Sequence, residues 1–271
     1  MLHAARRVAV HNAIVAEELR GEQNRSAIDV IRMGVPAVTA AAGARARIRG
    51  AYRIGSRAII FTALGKVTAE KRIPQIVSAL AALVAGGLDV HLLLVGDETD
   101  AAAFGGTPRE VAGRVHAAGY VADGAIGDYL IASDVCLCLR WPTALETSAS
   151  WLRCLAAARA TIVSDLAHTA DVPAPVAPRI DMLDEHRSLV DAMRELATDE
   201  AAREAVARAG HAWWQEHHTM EMMTADYRSV IARAIAAPAP SPADLPRHFT
   251  EDYSDAARNL LRQMGASVDI L

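Results

Sequence analysis

Short apolar runs alternate with longer segments of helical periodicity along most of this chain. Four runs dominated by aliphatic residues and cysteine predict buried strands, at 58–63, 90–95, 134–139 and 161–164. Strands that alternate with helices of about 10–15 residues indicate βαβ units, which pair in parallel through right-handed crossovers. The predicted fold class is α/β, with a Rossmann-like parallel sheet that carries helices on both faces.

The composition suits a parallel sheet that is covered on both sides. Hydrophobic residues make up 52% of the 271 residues and aromatic residues only 4%, and aliphatic content of this kind is typical of strands buried between helices. The net charge of −4, from 28 basic and 32 acidic residues, argues against nucleic acid as a partner and against a polybasic membrane anchor.

The sequence also bears on the compartment in which the chain works. No stretch reaches the roughly 18 apolar residues of a membrane-spanning helix, and the first residues lack the apolar core of a signal peptide. Cys136, Cys138 and Cys154 are odd in number and lie in apolar surroundings, which predicts reduced core thiols rather than a metal site. Alternation along the strand places Cys136 and Cys138 on one face. We therefore expect a cytoplasmic protein without a metal.

Three regions are predicted along the chain. Residues 56–236 read as one complete Rossmann-like domain, because the regular series of strands and helices falls within them. Residues 1–55 precede that series, and residues 237–271 follow it. The last region opens with a Pro-rich linker at 237–245 and ends in a helix with an apolar face near 251–264.

Local patterns add detail to these regions. Short strands are predicted at 8–10 and 28–31. An Ala/Gly/Arg-rich stretch at 40–53 is predicted to be a linker with some helix. A Gly/Thr/Pro-rich loop at 104–108 is expected to lead into a helix that ends near Ala117.

The loop after the strand at 58–63 is the first candidate site. It carries Gly65, Lys66 and Lys71, and a long apolar-periodic helix, predicted at about 73–85, follows it. Parallel sheets bind anionic ligands at the carboxyl ends of their strands, where glycine admits close approach and lysine supplies a compact positive charge. The alternative is an ordinary solvated loop. The chain contains no Walker P-loop and no GxGxxG after a strand, which argues against a P-loop NTPase and a dinucleotide dehydrogenase.

A second candidate site follows the strand at 134–139. Thr147 and Ser148 are suited to cap the next helix, whose first N–H groups can meet a phosphate. Glu146, just before them, is placed to accept hydrogen bonds from sugar hydroxyls. The alternative is a capped helix with a glutamate near its positive end, a favourable arrangement worth about 0.3–1 kcal/mol.

Two further strand ends are candidates. Gly119, Tyr120 and Val121 form a short extended piece whose backbone groups can pair with the edge of a base, although a plain strand end explains them equally. Gly96 marks a tight exit from the strand at 90–95, for which an ordinary turn is the alternative.

Taken in order, these segments resemble the nucleotide-sugar-binding, C-terminal half of GT-B glycosyltransferases of the retaining family 4 (group 1). The family's G-R-x-x-x-x-K loop matches residues 65–71, with lysine in the arginine slot. The strand exit "l-x-l-v-G" matches 92–96, "G-x-v" matches 119–121, and "l-x-x-y-l-x-x-a-D-v" matches 126–135. The first acid of the E-x7-E motif falls on Glu146, within the "E-T-S" form of this loop.

The resemblance implies a role for each matching residue. Lys66 and Lys71 would bind the donor diphosphate, Glu146 the donor sugar, and Thr147 and Ser148 the phosphates. Tyr120 and Val121 would contact the base. The second acid of E-x7-E is replaced by Cys154, which departs from the family at the position that contacts the donor ribose.

The implied function is transfer of a sugar from a nucleotide-sugar donor, UDP- or GDP-linked, to an unidentified acceptor, with retention and without a cofactor. Residues 1–55 resemble only the tail of the family's acceptor domain, so the chain would supply mainly the donor-binding half. Two alternatives stay open. One is a non-catalytic donor-domain remnant or a subunit that needs a separate acceptor domain or a homo-oligomer, and the other is a sugar-nucleotide epimerase of the same architecture.

Overall fold

A computed structural model describes residues 5–21, 27–97, 107–142, 146–239 and 254–265. Contacts divide the chain into two compact units, residues 32–225 and residues 1–31 with 226–271. The larger unit contains a six-stranded sheet in which every neighbouring pair is parallel, as the sequence predicts. Its strands are β3 Ile59–Leu64, β4 Val90–Val95, β5 Val115–Gly119, β6 Val135–Cys138, β7 Ala160–Ser164 and β8 Arg179–Ile180.

The order of the strands fixes where a ligand can enter this sheet. The order is β5-β4-β3-β6-β7-β8, so the chain moves outward from β3 through β4 to β5 and then returns to place β6 on the other side of β3. Connections therefore leave β3 and β6 in opposite directions and open a crevice beyond their carboxyl ends. In open parallel sheets, ligands bind at such a reversal of strand order.

Helices cover both faces of the sheet. The helices in this unit are α2 Ala44–Ala51, α3 Ile73–Ala85, α4 Ile126–Ala132, α5 Ala149–Ala156, α6 Glu185–Thr198 and α7 Glu200–His217, and α8 Met220–Ala236 begins within it. The buried side chains of α3 and α6 form one cluster with Phe61, Leu92 and Leu137. A second cluster joins α2, α4 and α5 to Ile60 and Leu93. Adjacent residues of the strands thus face opposite clusters, which gives the period of two expected of a buried strand.

The stretch at 40–53, predicted as a linker with some helix, contains a regular helix, α2. Its Arg49 is only 4% exposed and pairs with Asp134 across 3.2 Å. The same carboxylate accepts a hydrogen bond from the backbone N–H of Ile60 and pairs with Arg45. The buried guanidinium and the carbonyl oxygens around it hold α2 against the amino end of the sheet, a long-range interaction that local composition does not reveal.

The prediction of a helix that ends near Ala117 is wrong. The described part of this segment contains only a short 3₁₀ turn, Ala112–Arg114, followed directly by the edge strand β5. Val115, His116 and Ala117 pair with residues 92–94 of β4. Backbone pairing with an exposed sheet edge here outweighs the helix propensity of alanine, which is a weak preference.

The smaller unit is built around a two-stranded parallel sheet. Strand β1 Arg7–Val10 pairs in register with β2 Ala27–Val30, so the predicted strands at 8–10 and 28–31 are confirmed within one residue. Helix α1 Ala13–Gly21 connects them. Asp29 is held by two guanidiniums, from Arg7 at 2.5 Å and Arg233 at 2.8 Å. The hydrogen bond from Arg7 lowers the pKa of this carboxyl despite some desolvation.

The end of the described chain is also helical. Helix α9 Ser254–Gln263 lies in the region where the sequence predicts a helix at 251–264, and Leu260 and Met264 are exposed there. Much of the predicted Pro-rich linker at 237–245 lies outside the described residues. None of the described helices is both long enough and apolar enough to cross a membrane.

Candidate functional site

A cleft of about 350 Å³ opens at the carboxyl ends of β3, β4 and β5. Five residues singled out by the sequence lie along it, and the rest of its lining is mostly aliphatic. The lining residues are Leu64, Gly65, Lys66, Val95, Gly96, Asp97, Tyr120, Val121 and Ile126. Three separate strand ends, far apart in the chain, therefore meet at one place, as parallel pairing requires.

Two glycines bring the ends of β3 and β4 into direct backbone contact. Gly96 has φ +153°, and a Cβ added to it would overlap the carbonyl group of Gly65. The N–H of Gly65 donates to the carbonyl oxygen of Val95 at 2.7 Å, and the N–H of Gly96 donates to that of Gly119 at 3.0 Å. The two glycines thus allow three loops to approach more closely than residues with side chains permit.

The two lysines of the first loop lie in different environments. Lys66 is exposed along the cleft, whereas Lys71 turns inward beneath Gly65. The ammonium of Lys71 donates to the carbonyl oxygen of Leu64 at 2.6 Å, and no carboxylate of the described chain pairs with it. A Cβ added to Gly65 would come within 2.5 Å of this nitrogen and 3.1 Å of the Ser150 hydroxyl. Lys71 therefore sits between the first loop and the first turn of α5.

Burial lowers the pKa of Lys71, because an ammonium loses its hydration inside the protein. Arg140 adds repulsion that acts in the same direction, whereas Cys138, Cys154 and the carboxylate of Glu70 act in the opposite one without offsetting the effect of burial. The ammonium of Lys71 thus has a carbonyl oxygen as its hydrogen-bond partner and a second cation nearby. No ion pair within the described chain neutralises its positive charge. The arrangement favours an anion as the missing partner.

The three cysteines meet on the side of the sheet that α5 covers. Their thiols are free, and the sulfur atoms of Cys138 and Cys154 lie 3.9 Å apart. Cys154 is fully buried, so the position at which the resemblance predicts an acid presents no carboxylate and no exposed group. Its hydrogen bonds with the other two thiols, together with burial, raise the pKa of Cys154, whereas hydrogen bonding to Cys154 lowers that of Cys138.

The loop after β6 carries the second group of predicted residues. Ser148 caps α5, because its hydroxyl accepts a hydrogen bond from the N–H of Trp151 at 3.3 Å. The capping role predicted for Ser148 is confirmed, and the helix begins at Ala149. Thr147 precedes the cap and is half-buried, and Glu146 is exposed and paired with the guanidinium of Arg140.

Backbone hydrogen bonds join this loop to its surroundings. The N–H of Trp141 donates to the carbonyl oxygen of Glu70 at 2.7 Å, which links the loop after β6 to the residue that precedes Lys71. The N–H of Arg140 donates to the hydroxyl of Ser164, at the end of β7, at 3.0 Å. The loops that leave β3 and β6 are therefore connected at the reversal of strand order.

The structure thus places the predicted residues in two adjoining groups. Gly65, Lys66, Gly96, Tyr120 and Val121 line the cleft. Lys71 lies in the loop after β3, and Glu146, Thr147 and Ser148 lie in the loop after β6. The sequence does not single out Arg140, Ser150 or the side chain of Asp97. For Arg140 the available signal is its position immediately after a buried strand.

In the described ranges, no group of three His, Cys, Asp or Glu side chains is arranged to hold a metal ion.

Comparison with known proteins finds similarity at the level of structure. No protein-family model matches the chain, and no curated protein matches it significantly. Among solved structures, sucrose-phosphate synthase from Thermosynechococcus elongatus aligns with a TM-score of 0.73 and 17% identity over 87% of this chain and 60% of that one. The Anabaena protein HepE in complex with UDP-glucose aligns with a TM-score of 0.70 and 13% identity, over 84% and 64% of the two chains.

A third similar structure is a separate domain. The C-terminal domain of LpcC, a glycosyl transferase group 1 family protein from Francisella tularensis, aligns with a TM-score of 0.59 and 15% identity over 69% of this chain and all of that one. These likenesses establish that the chain has the fold of GT-B glycosyltransferases. It spans about 60–64% of the length of the two longer structures.

Proposed function

We propose that this chain is the nucleotide-sugar-binding, C-terminal half of a retaining glycosyltransferase of family 4 (group 1). It binds a UDP- or GDP-linked sugar and presents it to an acceptor. The single observation that carries the proposal is Lys71, an inward-facing ammonium with no acid partner in the described chain. It lies at the reversal of strand order, where sheets of this kind bind ligands.

The groups around Lys71 suit the diphosphate of such a donor. Lys66 supplies a second positive charge at the cleft, and the first turn of α5, whose Ser150 approaches Gly65, has backbone N–H groups that can meet a phosphate. When the bond to the sugar breaks, negative charge grows on the departing nucleoside diphosphate. Fixed cations and N–H donors stabilise that charge without having to reorganise, which is a major source of rate enhancement in enzymes.

The cleft suits the remaining part of the nucleotide. Leu64, Val95, Val121 and Ile126 contribute aliphatic side chains to its lining, which provide an apolar surface for a planar base. Tyr120 is 80% exposed at its edge and is available to contact that base. The structural likeness to HepE, which was solved with UDP-glucose, supports a nucleotide-sugar donor.

Glu146 is assigned to the donor sugar. Its carboxylate lies just before the cap of α5, is 61% exposed and pairs with Arg140, so a ligand can reach it. A carboxylate in this position accepts hydrogen bonds from sugar hydroxyls and orients the reacting carbon. This role of Glu146 is inferred from its position in the loop and from the family motif that it matches.

A thermal-shift panel of nucleosides, nucleoside diphosphates and nucleotide sugars tests the proposal. A ligand at a hundredfold excess over its Kd stabilises the folded chain by about 2.7 kcal/mol. We expect UDP or GDP and the matching nucleotide sugars to raise the Tm, and the free nucleosides to raise it less. No shift with any diphosphate or nucleotide sugar would refute the assignment of a donor site.

One observation favours a second candidate, a donor-binding chain without its own transferase activity. Cys154 is buried at the position of the second acid, which leaves the ribose without the carboxylate that the resemblance assigns to it. A subunit that binds nucleotide sugar and joins a separate acceptor domain fits this departure. The two candidates differ in turnover and agree on donor binding, so turnover measured at saturating donor separates them.

A further inference from the structure

Arg140 lies where the two groups of candidate residues meet. It follows β6 directly, and its backbone N–H is fixed to the Ser164 hydroxyl at 3.0 Å. Its side chain and Ser148 line the same small crevice at the start of α5. The neighbouring residue, Trp141, is joined through its N–H to the carbonyl oxygen of Glu70, so Arg140 is held close to the loop that carries Lys71.

The guanidinium of Arg140 is only partly used within the described chain. One of its terminal nitrogens pairs with the carboxylate of Glu146, and the other N–H groups make no bond to described residues. The side chain is 23% exposed, so those N–H groups are held at the crevice and remain within reach of a ligand. A guanidinium has five donors in a planar fork, which suits simultaneous contact with a carboxylate and a phosphate.

The local charges are consistent with a second anion beside Glu146. Arg140 and Lys71 repel each other, and this repulsion adds to the burial that lowers the pKa of Lys71. In the described chain, Glu146 is the carboxylate that forms an ion pair with Arg140, whereas Glu70 attracts both Arg140 and Lys71 without an ion pair to either. An anion between the two cations would relieve both the desolvation and the repulsion.

We propose that Arg140 is a third cation of the donor site, which binds an oxygen of the diphosphate through its free N–H groups while it holds Glu146. This assignment rests on the proposed function and adds a residue to it. It also gives Arg140 two tasks, because one side chain would then connect the leaving group to the carboxylate assigned to the sugar.

The chain offers a closely matched control. Arg114 pairs with Asp89 at the opposite, amino end of β4 and β5, and the exposures of that pair are 32% and 62%. The exposures of Arg140 and Glu146 are 23% and 61%. Arg140→Ala and Arg114→Ala therefore remove the same charge from similar ion pairs, and only the first lies at the proposed site.

The test is calorimetric titration of the full chain with UDP and GDP, and with uridine and guanosine by competition. We expect Arg140→Ala to weaken binding of the preferred diphosphate about 10- to 100-fold, the usual effect of a lost hydrogen bond between charged groups. The affinity for the matching nucleoside should change less than about twofold. Arg140→Lys should recover part of the loss because it keeps the charge, and Arg114→Ala should bind as the unsubstituted chain does.

Two results would overturn the assignment of Arg140. One is an Arg140→Ala variant that binds the diphosphate as tightly as Arg114→Ala, and the other is an equal loss of affinity for diphosphate and nucleoside, which indicates a structural role. If Arg140→Ala does not fold, Arg140→Gln and Arg140→Lys are compared instead. If the unsubstituted chain binds neither UDP nor GDP, the proposed function itself fails, so the two failures are distinguishable.

Discussion

At the scale of single residues, Gly96 is the position on which the geometry of the cleft depends most. It combines a φ of +153° with direct contact between its backbone and that of Gly65. We predict that Gly96→Ala lowers the free energy of unfolding by about 2–3 kcal/mol, because both the added Cβ and the backbone conformation are unfavourable. It should also weaken nucleotide binding, since the Gly65 loop must move.

Gly55→Ala is the control for Gly96→Ala, because nothing lies within 4 Å of the Cβ that it would add. Chemical denaturation of the two variants measures the difference. If Gly96→Ala is as stable as Gly55→Ala, the close approach of the two strand ends is not a constraint on the fold.

A pair of histidines at the other end of the sheet predicts how stability depends on pH. Nδ1 of His91 lies 3.0 Å from Nε2 of His116. Burial, followed by the charge of His116 and that of Arg114, lowers the pKa of His91 to about 4 from 6.5, and burial lowers that of His116 as well. Between about pH 4 and pH 6.5, the unfolded chain binds more protons than the folded chain, so the free energy of unfolding falls as pH falls.

The measurement is denaturation at pH 7 and pH 5 for the unsubstituted chain and for His91→Gln. We expect a smaller loss of stability on acidification in His91→Gln, because the variant lacks one of the buried groups that must remain neutral. His186→Gln, a change at an exposed histidine, serves as the control. An identical loss in His91→Gln and His186→Gln would contradict the assignment.

Single residues also show where sequence reasoning stops. The spacing of Lys66 and Lys71 predicts a shared anion site, yet it does not reveal that one is exposed and the other inward. The 3₁₀ turn at Ala69–Lys71 and the glycine at position 65 determine this difference in exposure. Arg140 escapes notice because an arginine in a loop is common, and only the fold brings it beside Lys71 and Ser148.

At the scale of elements, two helix caps separate stability from binding. Ser148 caps α5 beside the proposed site, and Asp199 caps α7 by accepting from the N–H of Ala202 at 2.9 Å. We predict that Ser148→Ala and Asp199→Ala each lower the free energy of unfolding by about 1 kcal/mol, the usual cost of a lost cap. Only Ser148→Ala should also weaken diphosphate binding.

Denaturation and calorimetric titration of the two cap variants provide the measurements. The matched loss of stability is the internal control, because it shows that a frayed helix alone does not impair binding. Equal diphosphate affinity in both variants would indicate that the amino end of α5 does not contact the ligand.

The elements differ in how well the sequence predicts them. Helix α3 and strand β4 match their predicted bounds, because long periodic segments and uniform apolar runs leave few alternatives. Helix α2 lies in a stretch that is predicted only as a linker with some helix, and most of strand β5 lies where a helix is predicted. The first is held by the buried pair of Arg49 and Asp134, and the second by pairing with β4, and both are interactions between residues distant in the chain.

At the scale of the whole molecule, alternation of strands and helices predicts the α/β fold, which is confirmed. The order of the strands does not follow from alternation, since the return of β6 to the far side of β3 depends on long-range packing. That order creates the crevice of the proposed site. The predicted region boundaries after residues 55 and 236 stay predictions.

The length of the chain leads to a prediction about turnover. It spans 60% and 64% of two similar solved structures, and transfer needs an acceptor held in line with the donor. We expect this 271-residue chain to bind a nucleotide sugar and to release nucleoside diphosphate from it slowly or not at all. Chromatography of UDP- and GDP-sugar reactions measures this, and rapid transfer by the chain alone would contradict it.

The central claim is that Lys71 serves a bound diphosphate rather than the fold. Lys71→Met keeps the approximate length of the side chain and removes a largely buried ammonium that has no acid partner. Its pKa is lowered by folding, so the charge weakens the empty folded state, and its removal should leave the Tm unchanged or raise it. The Tm therefore serves as the control for the binding measurement.

Calorimetric titration of the unsubstituted chain and of Lys71→Met with UDP and GDP is the most direct test. We predict that the unsubstituted chain binds at least one of the two. Lys71→Met should bind the same nucleotide about 30-fold more weakly, as expected for a charged hydrogen bond lost from a partly buried site. Binding by Lys71→Met that equals that of the unsubstituted chain, or no binding of either nucleotide by the unsubstituted chain, would contradict the account.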